Sequence, residues 1–439
     1  MKLLQSITGH GRNILRLSRR CHSAAQSEDY MKRNYANNVS EYNSVLDSLN
    51  ARRRPYLLRD VYDDMMLDGI QPTRDIFYSL ISGTMKGARL QDSFFFRDEM
   101  KSKGLFPDVT IYNLLIAVCA KCKISELAIQ ILEEMKKNEV KPTGQTYICL
   151  LNACAATGRL DQVYAIVRDM TAAGLGLNKF CYAGLIAAHT NKKPVAEDTA
   201  ARVIELVEQS KGWASASDRG GTSENAMLGV LQEELFNTPT AEYLHWRGFI
   251  DRRLTVYHAA FHALADLRDV KAVESLLKML EQDNSQPDTF IIMEVIRCYM
   301  RSGDFDSGLK KFEDFVNSGR APYAELYVTL IEGAMLGHTP KGMQIAQDAL
   351  VSMTSKNIFL SPKMGSDLLF IAAGEKTGGY TTANYLWDLM QARNIIPTRP
   401  AVEAYYAGLK EREIPSDDPR LLKVTEVMRK FQPRFNRRP

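Results

Sequence analysis

Residues 107–143 read PDVTIYNLLIAVCAKCKISELAIQILEEMKKNEVKPT. Ile111, Leu114, Leu115, Val118, Cys119 and Cys122 fall at i, i+3, i+4, i+7, i+8 and i+11, which is one face of a helix. After Ser125, a residue suited to capping a second helix, Ala128, Ile131, Leu132 and Met135 keep the same period. Pro142 cannot continue that helix, because it lacks the amide proton and its ring clashes with the preceding turn. The stretch therefore predicts a helix hairpin closed by a proline at each end.

The same phrase returns on both sides. Pro72, Pro107 and Pro142 are 107 − 72 = 35 and 142 − 107 = 35 residues apart, and Met65, Met100, Met135 and Met170 keep that step. A fixed period of this length marks a repeat array. In this register the units are 39–73, 74–108, 109–143 and 144–178. A looser unit starts at Lys179, with Pro194 near the start of its second helix, and fades by Gly212. SKGWASASDRGGTSEN (210–225) is a polar, glycine-rich surface loop. Residues 224–237 read as helical but fit no repeat. The period resumes at 254–288 and 289–323, lengthens at 324–361 and 362–398, and leaves a partial unit from Arg399. The expected organisation is an N-terminal array over 39–212, an irregular insertion over 213–253, a C-terminal array over 254–432 and a basic tail over 433–439, with about five units per array.

The chain has 439 residues, 45% hydrophobic and 25% charged, a composition that can build an ordered core. No apolar stretch approaches the roughly 18 residues that cross a bilayer, so no membrane partner is expected. Seven cysteines at irregular spacing do not describe a disulfide framework and fit a reducing compartment. Residues 1–27, within an expected leader of about 30 residues, differ from the rest: Lys2, Arg12, Arg16, Arg19 and Arg20 precede the first acid, Glu28, among spaced leucines and isoleucines. Basic, amphipathic and acid-poor describes an organelle transit peptide. Its +5 taken from the net +4 leaves 4 − 5 = −1. Residues 423–439 hold six bases and one acid, 6 − 1 = +5, so the body is about −1 − 5 = −6. An acidic body cannot hold phosphate by bulk attraction, and nucleic-acid contact must be local.

The 35-residue period, the Tyr112-Asn113 start, the Glu133-Glu134-Met135-Lys136 close and the final Lys141-Pro142-Thr143 resemble the pentatricopeptide repeat family. The resemblance is strong over 39–178, moderate over 254–398 and absent over 213–253. It implies an all-α fold, a right-handed superhelical α-solenoid of helix hairpins in two arrays. It also implies an organellar protein that binds single-stranded RNA. In the family the fifth and last residues of a unit together read one base. Carried onto this chain, the polar pairs are Asn43 with Thr73, Asn113 with Thr143, and Ser366 with Thr398. Other units depart: Tyr78 goes with Asp108, Ile148 with Asn178, His258 with Asp288, Met293 with Tyr323 and Val328 with Ser361. Ile148, Met293 and Val328 cannot hydrogen-bond a base edge, so no continuous row of readers exists.

Two basic patches are candidates for phosphate contact: Arg52, Arg53, Arg54 and Arg59 around the first hairpin turn, and the tail with Arg429, Lys430, Arg434, Arg437 and Arg438. In the tail Phe431 and Phe435 interleave with the charges, which suits base stacking. Cys119 and Cys122 resemble half a zinc knuckle, but Cys119 and Cys154 share one repeat position (154 − 119 = 35), so both are read as core. His258 and His262 lack the glutamate of a metalloprotease helix. No catalytic residue, metal ligand, cofactor or small-molecule substrate is expected. The expectation is a mitochondrial matrix scaffold, with chloroplast the lesser choice. It resembles ribosome-associated family members of plant mitochondria that contact rRNA and neighbouring proteins, with the small subunit favoured. An mRNA factor for transcript stability, processing or translation is the alternative, and a protein-interaction adaptor a third.

Overall fold

The computed structural model describes residues 35–213, 230–320, 322–376 and 380–431. The expected import segment and the tail residues Arg434, Phe435, Arg437 and Arg438 lie outside them. Among the described residues the chain is all-α, an α-solenoid of helix hairpins with no strand. It divides into two compact units, 1–195 with 212–241 and 196–211 with 242–439.

In the first unit the chain runs α1 (Val39–Ala51), α2 (Leu58–Leu67), α3 (Arg74–Lys86), α4 (Leu90–Ser102), α5 (Val109–Lys121), α6 (Ser125–Lys137), α7 (Gly144–Ala156), α8 (Leu160–Ala172) and α9 (Lys179–Asn191). The first helices of the hairpins begin at 39, 74, 109, 144 and 179, a constant step of 35. The first four each pack on their own second helix and on the next first helix, so first helices form one layer and second helices another. Leu80, Leu115, Leu150 and Leu185, one step of 35 apart, are buried in the first layer. Met65, Met100, Met135 and Met170 are buried in α2, α4, α6 and α8. The step of methionines is thus a core stripe.

Chain reversals repeat as strictly as the core. At the hairpin turns Arg53, Ala88, Lys123 and Gly158 have φ of +50°, +52°, +55° and +70°. Gly158 tolerates no side chain, since a Cβ would meet the backbone of Asn191 at 2.5 Å. The residue before a first helix caps it at three places: Asn38 accepts from the Glu41 amide, Asp108 from Ile111 and Asn178 from Phe180 and Cys181. Second helices start differently. Ser125 is the first residue of α6, not its cap, and Ile124 precedes it with no side-chain bond.

The second unit opens with α10 (Thr199–Ser210), which packs on α12 (Thr255–Leu267) and α13 (Val270–Gln282). Pro194 precedes α10 by 199 − 194 = 5 residues, so the second helix expected near it starts later. The expected first array, 39–212, thus contains a helix that clusters with the second unit. Helices α14 (Thr289–Ser302), α15 (Phe305–Asn317), α16 (Ala324–Met335), α17 (Pro340–Ser355), α18 (Pro362–Ala372), α19 (Thr381–Ala392), α20 (Arg399–Glu411) and α21 (Pro419–Phe431) complete the hairpins. Arg399 begins a whole hairpin, where the sequence reading expected a partial one. Of the helix expected over 224–237, the described part forms one turn, α11 (Gln232–Leu235), which belongs to the first unit.

Candidate nucleic-acid interface

A base reader must hold a polar group free to meet a base edge. The fifth residues of the first helices, and the capping residues at the ends of their units, must therefore keep such groups open to solvent.

In the first unit Asn43 is half-buried and its Oδ1 accepts from Ser79 Oγ at 3.1 Å. Its partner position, Thr73, is exposed. Tyr78 donates its hydroxyl to Asp108, which also receives the Ile111 amide at 3.0 Å. Burial and that carboxylate push the Tyr78 phenol up to about 12. Asn113 is 2% exposed and its Oδ1 has no hydrogen-bond partner among the described residues. Thr143 is exposed and engaged with the Thr146 hydroxyl at 3.2 Å in a capping box. Ile148 is buried.

The burial of Asn113 has a visible setting. Every residue of α5 from Thr110 to Ala120 is buried, unlike a helix with one solvent face. α3 and α7 flank it, α4 and α6 back it, and α11 of the insertion rests on it as well. Beside α11, Phe236 meets Phe180 with ring centroids 4.8 Å apart. Glu234 Oε1 lies 3.2 Å from the Arg53 guanidinium and its Oε2 3.6 Å from Lys86 Nζ. Arg53 also donates to the Ala241 carbonyl at 3.3 Å. Thus one candidate phosphate ligand, Arg53, is held by the insertion.

The second unit treats its reading positions alike. His258 is buried and its Nε2 donates to Asp288 Oδ2 at 2.7 Å. That oxygen also takes the Asp251 amide at 2.7 Å, and Oδ1 takes the Ile291 amide at 2.9 Å. Tyr323 stacks on Trp246 at 5.7 Å, meets Phe249 edge-on at 5.0 Å and donates to the Arg247 carbonyl at 2.9 Å. Residues 243–251 are the other part of the insertion. Met293 is buried and Val328 half-buried. Ser366 is buried, donates to the Pro362 carbonyl at 2.7 Å and accepts the Thr398 amide at 3.0 Å. Thr398 itself is exposed.

Of the basic candidates, Arg52 and Arg53 are exposed and Arg54 half-buried. Arg59 lies 3.3 Å over the Phe95 ring, a cation–π contact, and pairs with Asp63 at 3.3 Å. Arg429 and Lys430 are exposed on the last turn of α21, where Lys430 pairs with Glu426 at 3.3 Å. Phe431, expected as a stacking ring, packs partly against the second unit's core. Cys119, Cys154 and Cys181 are buried thiols pushed up by burial, to about 12, 11 and 11. Among the described residues no group of three His, Cys, Asp or Glu could hold a metal ion.

Sequence reasoning missed Glu234, Lys86, Trp246 and Phe249. The available signal was Gln232-Glu233-Glu234-Leu235-Phe236, acids beside a large apolar pair in a segment with no repeat.

Residues 96–157 match the pentatricopeptide repeat domain, and residues 145–175 match the PPR repeat. A mitochondrial pentatricopeptide repeat-containing protein of Arabidopsis thaliana is 57% identical over 426 residues, which is 97% of this chain and 96% of that protein. A chloroplastic pentatricopeptide repeat-containing protein of the same plant is 26% identical over 130 residues, 29% of this chain and 27% of that one. Among solved structures, PPR10 in complex with an 18-nt psaJ RNA element aligns with a TM-score of 0.38 at 18% identity, over 90% of this chain and 54% of that chain.

Proposed function

The chain belongs to the pentatricopeptide repeat family, and from that premise we propose that it is a non-catalytic RNA-binding scaffold held at a fixed place in a ribonucleoprotein. It is a mitochondrial protein. The assembly we favour is the mitochondrial ribosome, with rRNA and neighbouring ribosomal proteins as partners and the small subunit as the site.

One observation carries this reading: the polar reading positions are spent inside the chain. Tyr78 with Asp108 and His258 with Asp288 are bonded side chain to side chain, Ser366 takes the backbone amide of Thr398, and Asn113 is closed to solvent. A factor that searches for one transcript needs adjacent open readers, because each base adds a few hydrogen bonds of discrimination. Asn43 with exposed Thr73 is a single such position. A fixed component needs shape and local phosphate contact instead, supplied here by the arginines near the first turn and by Arg429 and Lys430.

Sucrose-gradient sedimentation of mitochondrial extract tests the proposal. The expected result is co-migration with the small ribosomal subunit at about one copy per subunit after a moderate-salt wash. Recovery chiefly as free protein, or with one mRNA at far below one copy per subunit, would put the transcript-factor alternative in its place.

A further inference from the structure

The Arg53–Lys86 recess points beyond this scaffold reading, although it rests on its claim of RNA contact. Asn50, Arg53, Arg54, Pro55, Lys86 and Gly87 line a hollow between the first hairpin turn and the end of α3. Its two cations converge on one carboxylate from far along the chain, Glu234, at a sequence separation of 234 − 53 = 181. The Glu234 side chain is 4% exposed, whereas that of Arg53 is 42% exposed. A carboxylate so deeply buried persists only when paired, so the insertion is seated here by charge as well as by Phe236.

Arginine and lysine that bind a carboxylate oxygen bind a phosphate oxygen with the same donors. Nothing about the recess requires its anion to come from the chain itself. Within residues 230–241, α11 also rests on α5, the helix that carries Asn113. The segment therefore covers a reading helix and neutralises the adjacent cations at once.

We propose that the Arg53–Lys86 recess is a site for a backbone phosphate of single-stranded RNA, and that Glu234 is its internal competitor. The segment 230–241 then acts as a strap. While Glu234 is seated, the first unit offers RNA neither these cations nor α5. When RNA takes the recess, the strap is displaced and both are uncovered. The bound and strapped states exclude one another because one pair of cations cannot satisfy both anions in the same hollow.

The test uses the full chain and a uniform single-stranded RNA, with affinity measured across a salt series. Glu234→Gln keeps the shape of the side chain and removes its charge. If the strap is seated in about nine molecules of ten, its release tightens apparent binding about tenfold. Both proteins contact the same phosphates once RNA is bound, so the slope of log affinity against log salt should stay nearly the same. Adding Arg53→Ala and Lys86→Ala to Glu234→Gln should cancel the tightening and make that slope shallower by roughly 1.4, two phosphates' worth on a single strand. A second measurement needs no variant: saturating RNA should raise amide hydrogen exchange over 230–241 in the unaltered chain. If the unaltered chain binds RNA but Glu234→Gln leaves affinity unchanged, the recess is not a masked phosphate site and the RNA-binding reading stands. Unchanged exchange over 230–241 at saturation equally overturns the strap. If neither protein binds RNA at low salt, the RNA-binding reading itself falls, and the strap with it.

Discussion

Asn113 and Leu115 stand two residues apart on α5, and both are buried, for opposite physical reasons. Leu115 is fully buried between hairpins, on the stripe that the 35-residue step predicts. A leucine removed from water contributes about 2 kcal/mol by transfer alone, and truncation adds the cost of a cavity. Leu115→Ala should therefore lower stability by roughly 2–5 kcal/mol in a reversible urea melt. A loss below about 0.5 kcal/mol would mean that α5 is out of register. Asn113 instead is a polar side chain whose Oδ1 meets no donor among the described residues, and a buried oxygen left without one costs about 1–3 kcal/mol. Its burial was not legible in the sequence, because the repeat alone leaves that face of α5 open.

At the scale of helices, the starts of the first helices in the first unit were legible, since the apolar period recurs every 35 residues and Pro72, Pro107 and Pro142 precede three of them. The ion pairs between helices were not, because a hydropathy pattern does not say which charges face one another. On α14, Glu294 is buried and receives His262 Nδ1 of α12 at 3.0 Å and Arg297 Nε at 2.6 Å. Arg297 in turn reaches Asp266 at 2.6 Å, and Arg301 reaches it at 3.0 Å. Burial would raise the Glu294 carboxyl, but His262 and Arg297 outweigh it and hold the group below its ordinary value. Asp266 is lowered as well, with burial again outweighed, by Arg297 and His262. A carboxyl lowered in the folded state stabilises fully above its unfolded pKa, about 4.3 for glutamate, and that stability is lost as pH falls through the folded value. Glu294→Gln should cost about 3 kcal/mol at pH 7, because Arg297 loses its buried partner. It should also flatten the fall in stability between about pH 5 and pH 3. Urea midpoints of both proteins across that range check this, and an equally steep fall in the variant would remove Glu294 from the account.

For the molecule as a whole, the decisive segment is the one with no repeat. Length and polarity marked 213–253 as an interruption, yet its described parts are seated on the repeats: Glu234 and Phe236 on Arg53 and Phe180 in the first unit, and Trp246, Phe249 and Asp251 on the reading positions Tyr323 and Asp288 in the second. Such contacts leave no trace in a periodicity, and Arg53, read from sequence as open to phosphate, is instead paired across the fold. The central claim is that this chain meets RNA through phosphate and shape, without reading a row of bases. Selection of bound species from a random single-stranded RNA pool, sequenced after several rounds with the full chain, tests it most directly. The account predicts RNA retention that weakens steeply with salt and no enriched motif longer than about two bases, since Asn43 with Thr73 is a single open pair. Enrichment of one contiguous motif of about five bases or more would contradict it.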